Sequence, residues 1–214
     1  MKWQEYQEAV GELYRQMEQI GKVEKNITLP DLVTGQPRQI DVWWEIMGKG
    51  HKLGILIDAK LRKNVLDVKV VEEVLSLANA VGANKAVIVT NSGWTKPAER
   101  KAQFSGLDLR IFSIEEALEL VVPEMWKMCP SCENDCIVMD QSNGFVVDGI
   151  VTLFLAGNCR ECGSALIWCQ GCGWKNILEI GEEEKCWCDD FLWGNDSNRG
   201  ICLKFEDQQY FLAK

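Results

Sequence analysis

The sequence predicts an α/β fold, a three-layer sandwich around a mixed β-sheet, followed by a small β-rich domain. Three observations indicate this arrangement. Segments with helical and strand-like periodicity alternate through about the first 120 residues. Two strand-like segments in this part are joined by a short glycine-containing turn, which is typical of a β-hairpin. All ten cysteines lie after residue 128, so we place a boundary near Trp126 and predict domains over residues 1–126 and 127–214.

The first predicted element is a helix over residues 3–20. Apolar side chains recur there at near-helical spacing, and Gly21 is a typical helix stop. Glu8 lies on the polar side of this helix, where a glutamate is usually only solvated. A strand over residues 23–29 and a loop over residues 30–37 follow, and they lead into the hairpin.

The hairpin consists of two strands rich in β-branched and aromatic residues. A turn centred on residues 48–50 places Ile46 opposite Leu53. Counting back along both strands then places Asp41 opposite Asp58. Residues that pair across antiparallel strands share a face, and like charges there are destabilising. The hairpin therefore brings together two carboxylates whose repulsion requires compensation.

One amine belongs to the same patch, because Lys60 lies two residues beyond Asp58 and shares its face. A divalent cation would offset the repulsion between Asp41 and Asp58, and carboxylate oxygens suit Mg²⁺ or Mn²⁺. Lys60 would then orient a nucleophilic water or stabilise negative charge that develops on a phosphate. The alternative interpretation is an ion pair of Asp58 and Lys60 on an edge strand, with Asp41 in a turn.

Asp41 followed on the next strand by Asp58-x-Lys60 resembles the PD-(D/E)xK nuclease motif, and its surroundings resemble the Mrr-like, restriction-endonuclease-like branch. The similar segments are Tyr6-Gln7-x-x-Val10, Arg38-Gln39-Ile40-Asp41-Val42 and Val87-Ile88-Val89-Thr90-Asn91-Ser92-Gly93-Trp94-Thr95. The resemblance covers about residues 3–120. It implies a restriction-endonuclease-like fold and metal-dependent hydrolysis of DNA in restriction, defence or repair. It also implies one further acidic or amide group from the first helix, for which Glu8 and Gln7 are candidates.

The remaining predicted elements of this domain are a helix over residues 68–81, a strand over 85–90, a strand over 107–112 and a helix over 114–122. Asp67 is the predicted N-cap of the first of these helices. Ser113 and Glu116 form a predicted capping box at the start of the last one.

Basic side chains follow the hairpin and appear again after the next strand, in the helix that follows the loop over residues 91–95. Functional loops concentrate at strand ends, so we expect these side chains to contact the DNA backbone. The predicted DNA-binding residues are Arg62, Lys63, Lys96, Arg100 and Lys101. A solvated basic turn is the alternative interpretation.

The cysteines form closely spaced pairs, which favours metal thiolate sites over disulfides in a chain without a predicted signal peptide. Strand-like segments over residues 137–139, 145–147 and 151–155, with turns at Gly144 and Gly149, are typical of a zinc ribbon. Eight thiolates suffice for two tetrahedral, structural Zn²⁺ sites. The predicted ligands are Cys129, Cys132, Cys159, Cys162, Cys169, Cys172, Cys186 and Cys188.

The spacing does not fix which pairs share a zinc ion. Sequential pairing is the simplest arrangement, and an interleaved arrangement stays open. Replacement of one member of the close pair Cys186 and Cys188 by Cys136 or Cys202 also stays open.

The formal net charge of −9 is distributed unevenly. Residues 1–128 carry 17 basic and 18 acidic side chains, whereas residues 129–214 carry 6 and 14. A zinc ion with four thiolates adds a formal charge of about −2. Because phosphate would be repelled by the second domain, we interpret it as a structural or protein-interaction module. Sequence-specific DNA reading by this module is the second interpretation, and a zinc-dependent adaptor role in a defence or repair complex is the third.

The leading hypothesis is a Mg²⁺-dependent (or Mn²⁺-dependent) deoxyribonuclease with Asp41, Asp58, Lys60 and Glu8 as catalytic residues. A catalytically silent binding or assembly protein on the same scaffold is the alternative. No apolar segment approaches the roughly 20 residues of a membrane span, and the first residues lack a signal-peptide core. We therefore expect a cytoplasmic protein without membrane contacts. The DNA preference and the oligomeric state are left open.

Overall fold

The computed structural model describes residues 1–17, 20–48, 50–139, 144–147, 150–188, 191–206 and 208–212. Some predicted features lie outside the described residues, namely residues 18 and 19 of the first helix, residue 49 of the hairpin turn and Gly149. The chain divides into two compact units, residues 2–121, and residues 122–214 together with Met1. The boundary predicted from the cysteines lies a few residues further along the chain.

The first unit is the predicted three-layer α/β sandwich. Its elements in chain order are α1 (Trp3–Met17), β1 (Lys22–Pro30), β2 (Pro37–Gly48), β3 (His51–Lys60), α2 (Val68–Val81), β4 (Lys85–Thr90), α3 (Lys96–Ser105), β5 (Asp108–Ile111) and α4 (Ile114–Val121). The strands form one sheet in the order β1-β2-β3-β4-β5. Strands β1 to β3 are antiparallel, whereas β4 and β5 run parallel to β3, so the sheet is mixed.

Helices cover both faces of this sheet. Helix α1 packs on α4 and on β1, β2 and β3, whereas α2 packs on α3 and β4. Side chains of β4 alternate between the two faces. Ala86 and Ile88 belong to the core that α2 and α3 cover, and Val87 and Val89 are buried outside this core. No helix within the described residues is long and apolar enough to cross a membrane.

The predicted caps of α2 and α4 are confirmed. Asp67 caps α2 by accepting a hydrogen bond from the Val70 N–H, and the helix ends at Gly82 in the left-handed region with φ of +70°. Ser113 and Glu116 form the capping box of α4, with hydrogen bonds of 2.7 Å and 3.1 Å between side chain and backbone. These local signals fix where each helix begins relative to the strands.

Strands β2 and β3 form the predicted hairpin in the predicted register. Ile46 pairs with Leu53, and main-chain pairing runs to Val42 and Ile57. Asp41 and Asp58 are the next residues along the two strands. The pairing therefore ends where the predicted catalytic residues begin.

Strand β1 is irregular at the position across from Asp41. Lys25 pairs with Val42 and Ile27 pairs with Ile40, while Asn26 between them has φ of +52°. A left-handed conformation costs a residue other than glycine roughly 1 kcal/mol or more, and such conformations concentrate at functional sites. Sequence reasoning did not predict this irregularity.

The second unit consists of short strands around the cysteines. Its elements are β6 (Trp126–Met128), β7 (Cys136–Val138), β8 (Gly144–Val147), β9 (Ile150–Asn158), β10 (Ala165–Cys169), β11 (Lys175–Leu178), β12 (Glu183–Lys185), β13 (Leu192–Asp196), β14 (Gly200–Phe205) and β15 (Gln208–Phe211). They form sheets in the orders β11-β10-β9-β8, β12-β13-β14-β15 and β6-β7. Sequence reasoning predicted β7, β8 and part of β9 but missed β6 and the strands from β10 onward.

A central glycine of the hairpin provides a test of packing. A Cβ atom on Gly54 would lie 2.2 Å from the Trp43 ring, whereas a Cβ on Gly48 would meet no heavy atom within 4 Å. We expect Gly54→Ala to lower the free energy of unfolding by about 1–3 kcal/mol, because the buried indole must shift. Gly48→Ala in the same hairpin is the control, with a change within about 0.5 kcal/mol. Urea unfolding measures both, and equal stabilities would contradict the prediction.

Candidate active site and cysteine clusters

Asp41 is held by two donors from different elements. Its Oδ2 accepts a hydrogen bond of 2.9 Å from the backbone N–H of Ala59 on β3. Its Oδ1 accepts a hydrogen bond from the side-chain amide of Gln7 on α1. Since main-chain pairing of β2 with β3 ends at Val42, the Asp41 carboxylate takes the place of a backbone acceptor. The strand and the helix together fix this side chain.

Asp58 and Lys60 contact each other on β3. The Lys60 Nζ lies 2.9 Å from Oδ1 and 2.7 Å from Oδ2 of Asp58, and Asp58 is only 7% exposed. The buried Oδ2 makes no well-directed hydrogen bond within the described residues, despite this short ionic contact. A carboxylate oxygen with unused acceptor capacity is thus aimed into the patch that contains Lys60.

Burial dominates the electrostatics of both acids. It raises the pKa of Asp58 to about 6, while Lys60 acts in the opposite direction and the nearby carboxylates of Asp41 and Glu73 raise it further. Burial likewise raises the pKa of Asp41, opposed by the Ala59 N–H, Lys60 and Gln7. Ionising both acids in one buried patch is costly. A bound cation would stabilise the form in which both are charged.

The donor set fits a hard divalent cation. Asp41 and Asp58 offer carboxylate oxygens, the ligand type that Mg²⁺ and Mn²⁺ prefer, and Asp58 Oδ2 has acceptor capacity left. Of the two candidates on α1, Gln7 contacts Asp41. Glu8 instead forms an ion pair with Lys25 of β1, and its side chain is 57% exposed. The structure thus places Gln7, and not Glu8, at the acidic pair.

The predicted DNA-binding residues differ in their surroundings. Lys101 forms an ion pair of 3.1 Å with Glu72 of α2. Arg62, Lys63, Lys96 and Arg100 make no ion pair within the described part of the chain, and Arg62 and Lys63 are exposed directly after β3. The two residues nearest in sequence to Lys60 are therefore the cations most available to a phosphate beside the acidic pair.

The eight predicted zinc ligands form two clusters with sequential pairing. Within each cluster, all four sulfur atoms lie within 4.8 Å of one another. The clusters are Cys129, Cys132, Cys159 and Cys162, and Cys169, Cys172, Cys186 and Cys188. Cys136 and Cys202 belong to neither cluster. This outcome corresponds to the simplest of the arrangements that the spacing left open.

The sulfur positions fit tetrahedral zinc. A Zn–S bond of about 2.3 Å gives a tetrahedron with S–S edges of about 3.8 Å. The measured S–S distances include 3.6 Å and 3.7 Å in the first cluster, and 3.8 Å and 3.4 Å in the second. The buried Trp193 N–H makes no well-directed hydrogen bond within the described residues and lies beside Cys186, where a thiolate would accept it.

Three of the cysteine turns share one backbone geometry. Each has a hydrogen bond from the residue after the second cysteine back to the first, with N–O distances of 2.9–3.0 Å. The donor residues are Glu133, Gly163 and Gly173, and their φ angles are +54°, +78° and +79°. Glycine adopts this conformation freely, whereas Glu133 adopts it at a cost. The first turn therefore stores strain that the other two avoid.

Known proteins resemble the first unit. A family model, Mrr_cat, described as restriction endonuclease, matches residues 1–121, more than half of the chain. The crystal structure of a protein of unknown function, AF1548, is similar at 18% identity and a TM-score of 0.45, over 55% of this chain and 66% of that one. The DNA modification-dependent restriction endonuclease AspBHI is similar at 17% identity and a TM-score of 0.38, over 54% and 30%. The chain thus spans under two thirds of either structure, and no curated protein matches it.

The raised pKa of Asp58 predicts a pH-dependent stability. Because the folded pKa of about 6 exceeds the ordinary value of 3.8, the protonated form contributes stability below pH 4 that is lost as pH rises through 6. In the zinc-loaded chain without added Mg²⁺ or Mn²⁺, we expect wild-type stability to fall over this range by on the order of 2 kcal/mol relative to Asp58→Asn. Asp67→Asn, which keeps the α2 cap, is the control and should follow the wild type. Superimposable profiles for wild type and Asp58→Asn would refute this prediction.

The cysteine turns predict opposite effects of two substitutions. We expect Glu133→Gly to stabilise the second unit by about 0.5–1 kcal/mol, since it relieves the left-handed conformation. Gly173→Ala should destabilise it by about 1 kcal/mol. Gly171→Ala is the matched control in the same turn, because Gly171 lacks a positive φ and an added Cβ would make only ordinary contacts. Chemical unfolding of the zinc-loaded chain measures these changes, and equal effects of the Gly171 and Gly173 substitutions would contradict the assignment.

Proposed function

The chain belongs to the restriction endonuclease family, and from this premise we propose that it is a metal-dependent endonuclease that hydrolyses DNA phosphodiester bonds. One observation carries the proposal. Asp41, Asp58 and Lys60 meet where β2 separates from β3, beside exposed cations that have no ion-pair partner in the described part of the chain.

Asp41 and Asp58 would hold the cation. When bound, Mg²⁺ or Mn²⁺ would polarise the phosphoryl oxygen and lower the pKa of a bound water. The Ala59 N–H and the Gln7 amide keep the Asp41 carboxylate in place, so its oxygens need little rearrangement. Gln7 thus takes the position that the family resemblance reserves for a further group from the first helix.

Lys60 would supply positive charge at the reacting phosphate. Its side chain is 23% exposed, and its ammonium group is already placed by Asp58. An amine held beside two acids can orient a water and stabilise negative charge on the phosphate oxygens as the P–O bond breaks. Arg62 and Lys63, and then Lys96 and Arg100, would bind flanking phosphates, which are not sequence-specific contacts.

The second unit is proposed to bind two structural Zn²⁺ ions and to serve as a structural or protein-interaction module. Three of its positive side chains are engaged locally. Arg160 bonds with Asp135, Lys204 pairs with Glu183, and the Arg199 guanidinium lies 3.7 Å from the centre of the Phe211 ring. Trp187, between two zinc ligands, is 71% exposed and offers an apolar contact to a protein partner.

A substrate panel tests the nuclease proposal. We expect cleavage of plasmid, single-stranded, branched or methylated DNA in Mg²⁺ or Mn²⁺ and none in EDTA. Lys60→Ala and Asp58→Ala should each lower the cleavage rate by about 100-fold or more, since each removes charge that acts on the reacting phosphate. Lys52→Ala is the matched control, because Lys52 also lies on β3 and also pairs with a carboxylate, that of Glu45, at the opposite end of the strand.

Two results would reject the proposal. One is DNA binding without cleavage of any substrate, together with absent metal binding, which would favour the catalytically silent scaffold. The other is cleavage that survives Asp58→Ala unchanged, which would place the chemistry elsewhere.

A further inference from the structure

The side chain of Asn91, directly after β4, is bonded at two points to the backbone of Arg62. Its Oδ1 accepts a hydrogen bond of 2.8 Å from the Arg62 N–H, and its Nδ2 donates one of 3.0 Å to the Arg62 carbonyl oxygen. Both polar atoms of the Asn91 side chain are thus committed to a residue 29 positions earlier in the chain.

The neighbouring residues extend this contact along both segments. Ser92 Oγ donates a hydrogen bond of 2.9 Å to the Asn64 carbonyl oxygen. The Leu66 N–H donates to the Gly93 carbonyl oxygen, and the Thr95 N–H donates to the Leu66 carbonyl oxygen, each at 2.9 Å. The segment over residues 62–66, which lies outside the helices and strands, is therefore fixed along its length by the loop over residues 91–95.

This arrangement holds the backbone of the segment but leaves its basic side chains available to a ligand. Arg62 and Lys63 are exposed, and neither makes an ion pair within the described residues. Their backbone is held two and three residues beyond Lys60, at the end of β3 that carries the acidic pair. A rigid backbone with unpaired cations is suited to bind phosphate, because less conformational entropy is lost on binding.

We propose that Asn91 is a positioning residue that fixes the backbone at Arg62, so that Arg62 and Lys63 bind DNA phosphates next to the scissile bond. The inference rests on the proposed nuclease function, and it assigns the loop after β4 a role other than direct contact with DNA. Asn91 acts through the Arg62 backbone, and loss of its side chain frees a segment that must then be ordered when DNA binds.

The chain offers a matched control at the opposite end of β4. Asn84 precedes β4, its Oδ1 accepts a hydrogen bond of 2.8 Å from the Gly54 N–H of β3, and its backbone N–H donates to the Gly54 carbonyl oxygen. Asn84→Ala therefore removes a hydrogen bond between a side chain and the β3 backbone, whereas Asn91→Ala removes two such bonds to the segment that follows β3. The Asn84 contact lies at the other end of the strand, away from Arg62 and Lys63. A merely structural effect would be common to both asparagines.

The test measures binding of a 20-base-pair duplex by the full zinc-loaded chain at several salt concentrations, without added Mg²⁺ or Mn²⁺ so that no hydrolysis occurs. We expect Asn91→Ala to weaken binding about tenfold and to reduce the slope of log K against log salt by about 1–2, since roughly 0.9 of slope is lost per phosphate contact. Asn84→Ala should leave the slope unchanged. Asn91→Ser, a neutral variant whose side chain is too short to bond both backbone groups of Arg62, should also weaken binding.

A double-mutant cycle shows whether Asn91 acts through the basic segment. In the Arg62→Ala, Lys63→Ala background, Asn91→Ala should have no further effect on affinity or slope. An equal loss in both backgrounds overturns the proposal, as does an unchanged slope in Asn91→Ala or a wild type without salt-dependent binding. If Asn91→Ala fails to fold, the neutral variant Asn91→Ser carries the same comparison. Salt-dependent binding with no cleavage in Mg²⁺ would instead reject the nuclease function alone.

Discussion

The arrangement of the candidate site depends on the hydrogen bond from the Ala59 N–H to the Asp41 carboxylate. A buried backbone N–H must find an acceptor, and β3 loses its main-chain pairing with β2 beyond Ile57. The side chain of Asp41 supplies the acceptor at the point where the strands separate. The same interaction that completes the sheet thus holds one acid of the site near the other, and the Asn26 irregularity on β1 lies across from it.

The parallel pair β3 and β4 organises the rest of the site. Their carboxyl ends coincide, since Lys60 pairs with Thr90, so the segments that follow both strands emerge side by side. The hydrogen bond between Asn84 and Gly54 fixes the opposite end of the pair, where the Trp43 ring leaves no room for a Cβ atom on Gly54. The acids and the basic segment therefore rest on strands that are anchored at both ends, which favours a pre-organised site.

Local signals made much of this predictable from sequence. The hairpin register followed from period-two patterning and the glycine turn, and it correctly placed Asp41 and Asp58 at equivalent positions on adjacent strands. What escaped depended on tertiary proximity. Helical periodicity cannot separate neighbours such as Gln7 and Glu8, and only the packing of α1 shows which one contacts Asp41. The bonds between Asn91 and Arg62 join distant segments and leave no periodic trace.

The second unit shows the same limit from another direction, because β10 carries apolar side chains on both faces and therefore shows no alternation of apolar and polar residues. The side chains of β9 and β10 nevertheless alternate between two cores. On β9, Phe154 and Ala156 belong to the core with the second cysteine cluster, whereas Leu155 packs with the first; on β10, Ala165 and Ile167 again face the second core and Leu166 the first. One sheet thus packs against both cores.

The buried Asn195 adds a polar link between the two clusters. Its amide donates hydrogen bonds to the carbonyl oxygen of Gly163, next to Cys162 of the first cluster, and to that of Leu178 in the second core. Since each core packs against a face of the same strands, ordering of one cluster constrains the backbone that presents the other, and both clusters belong to one compact unit.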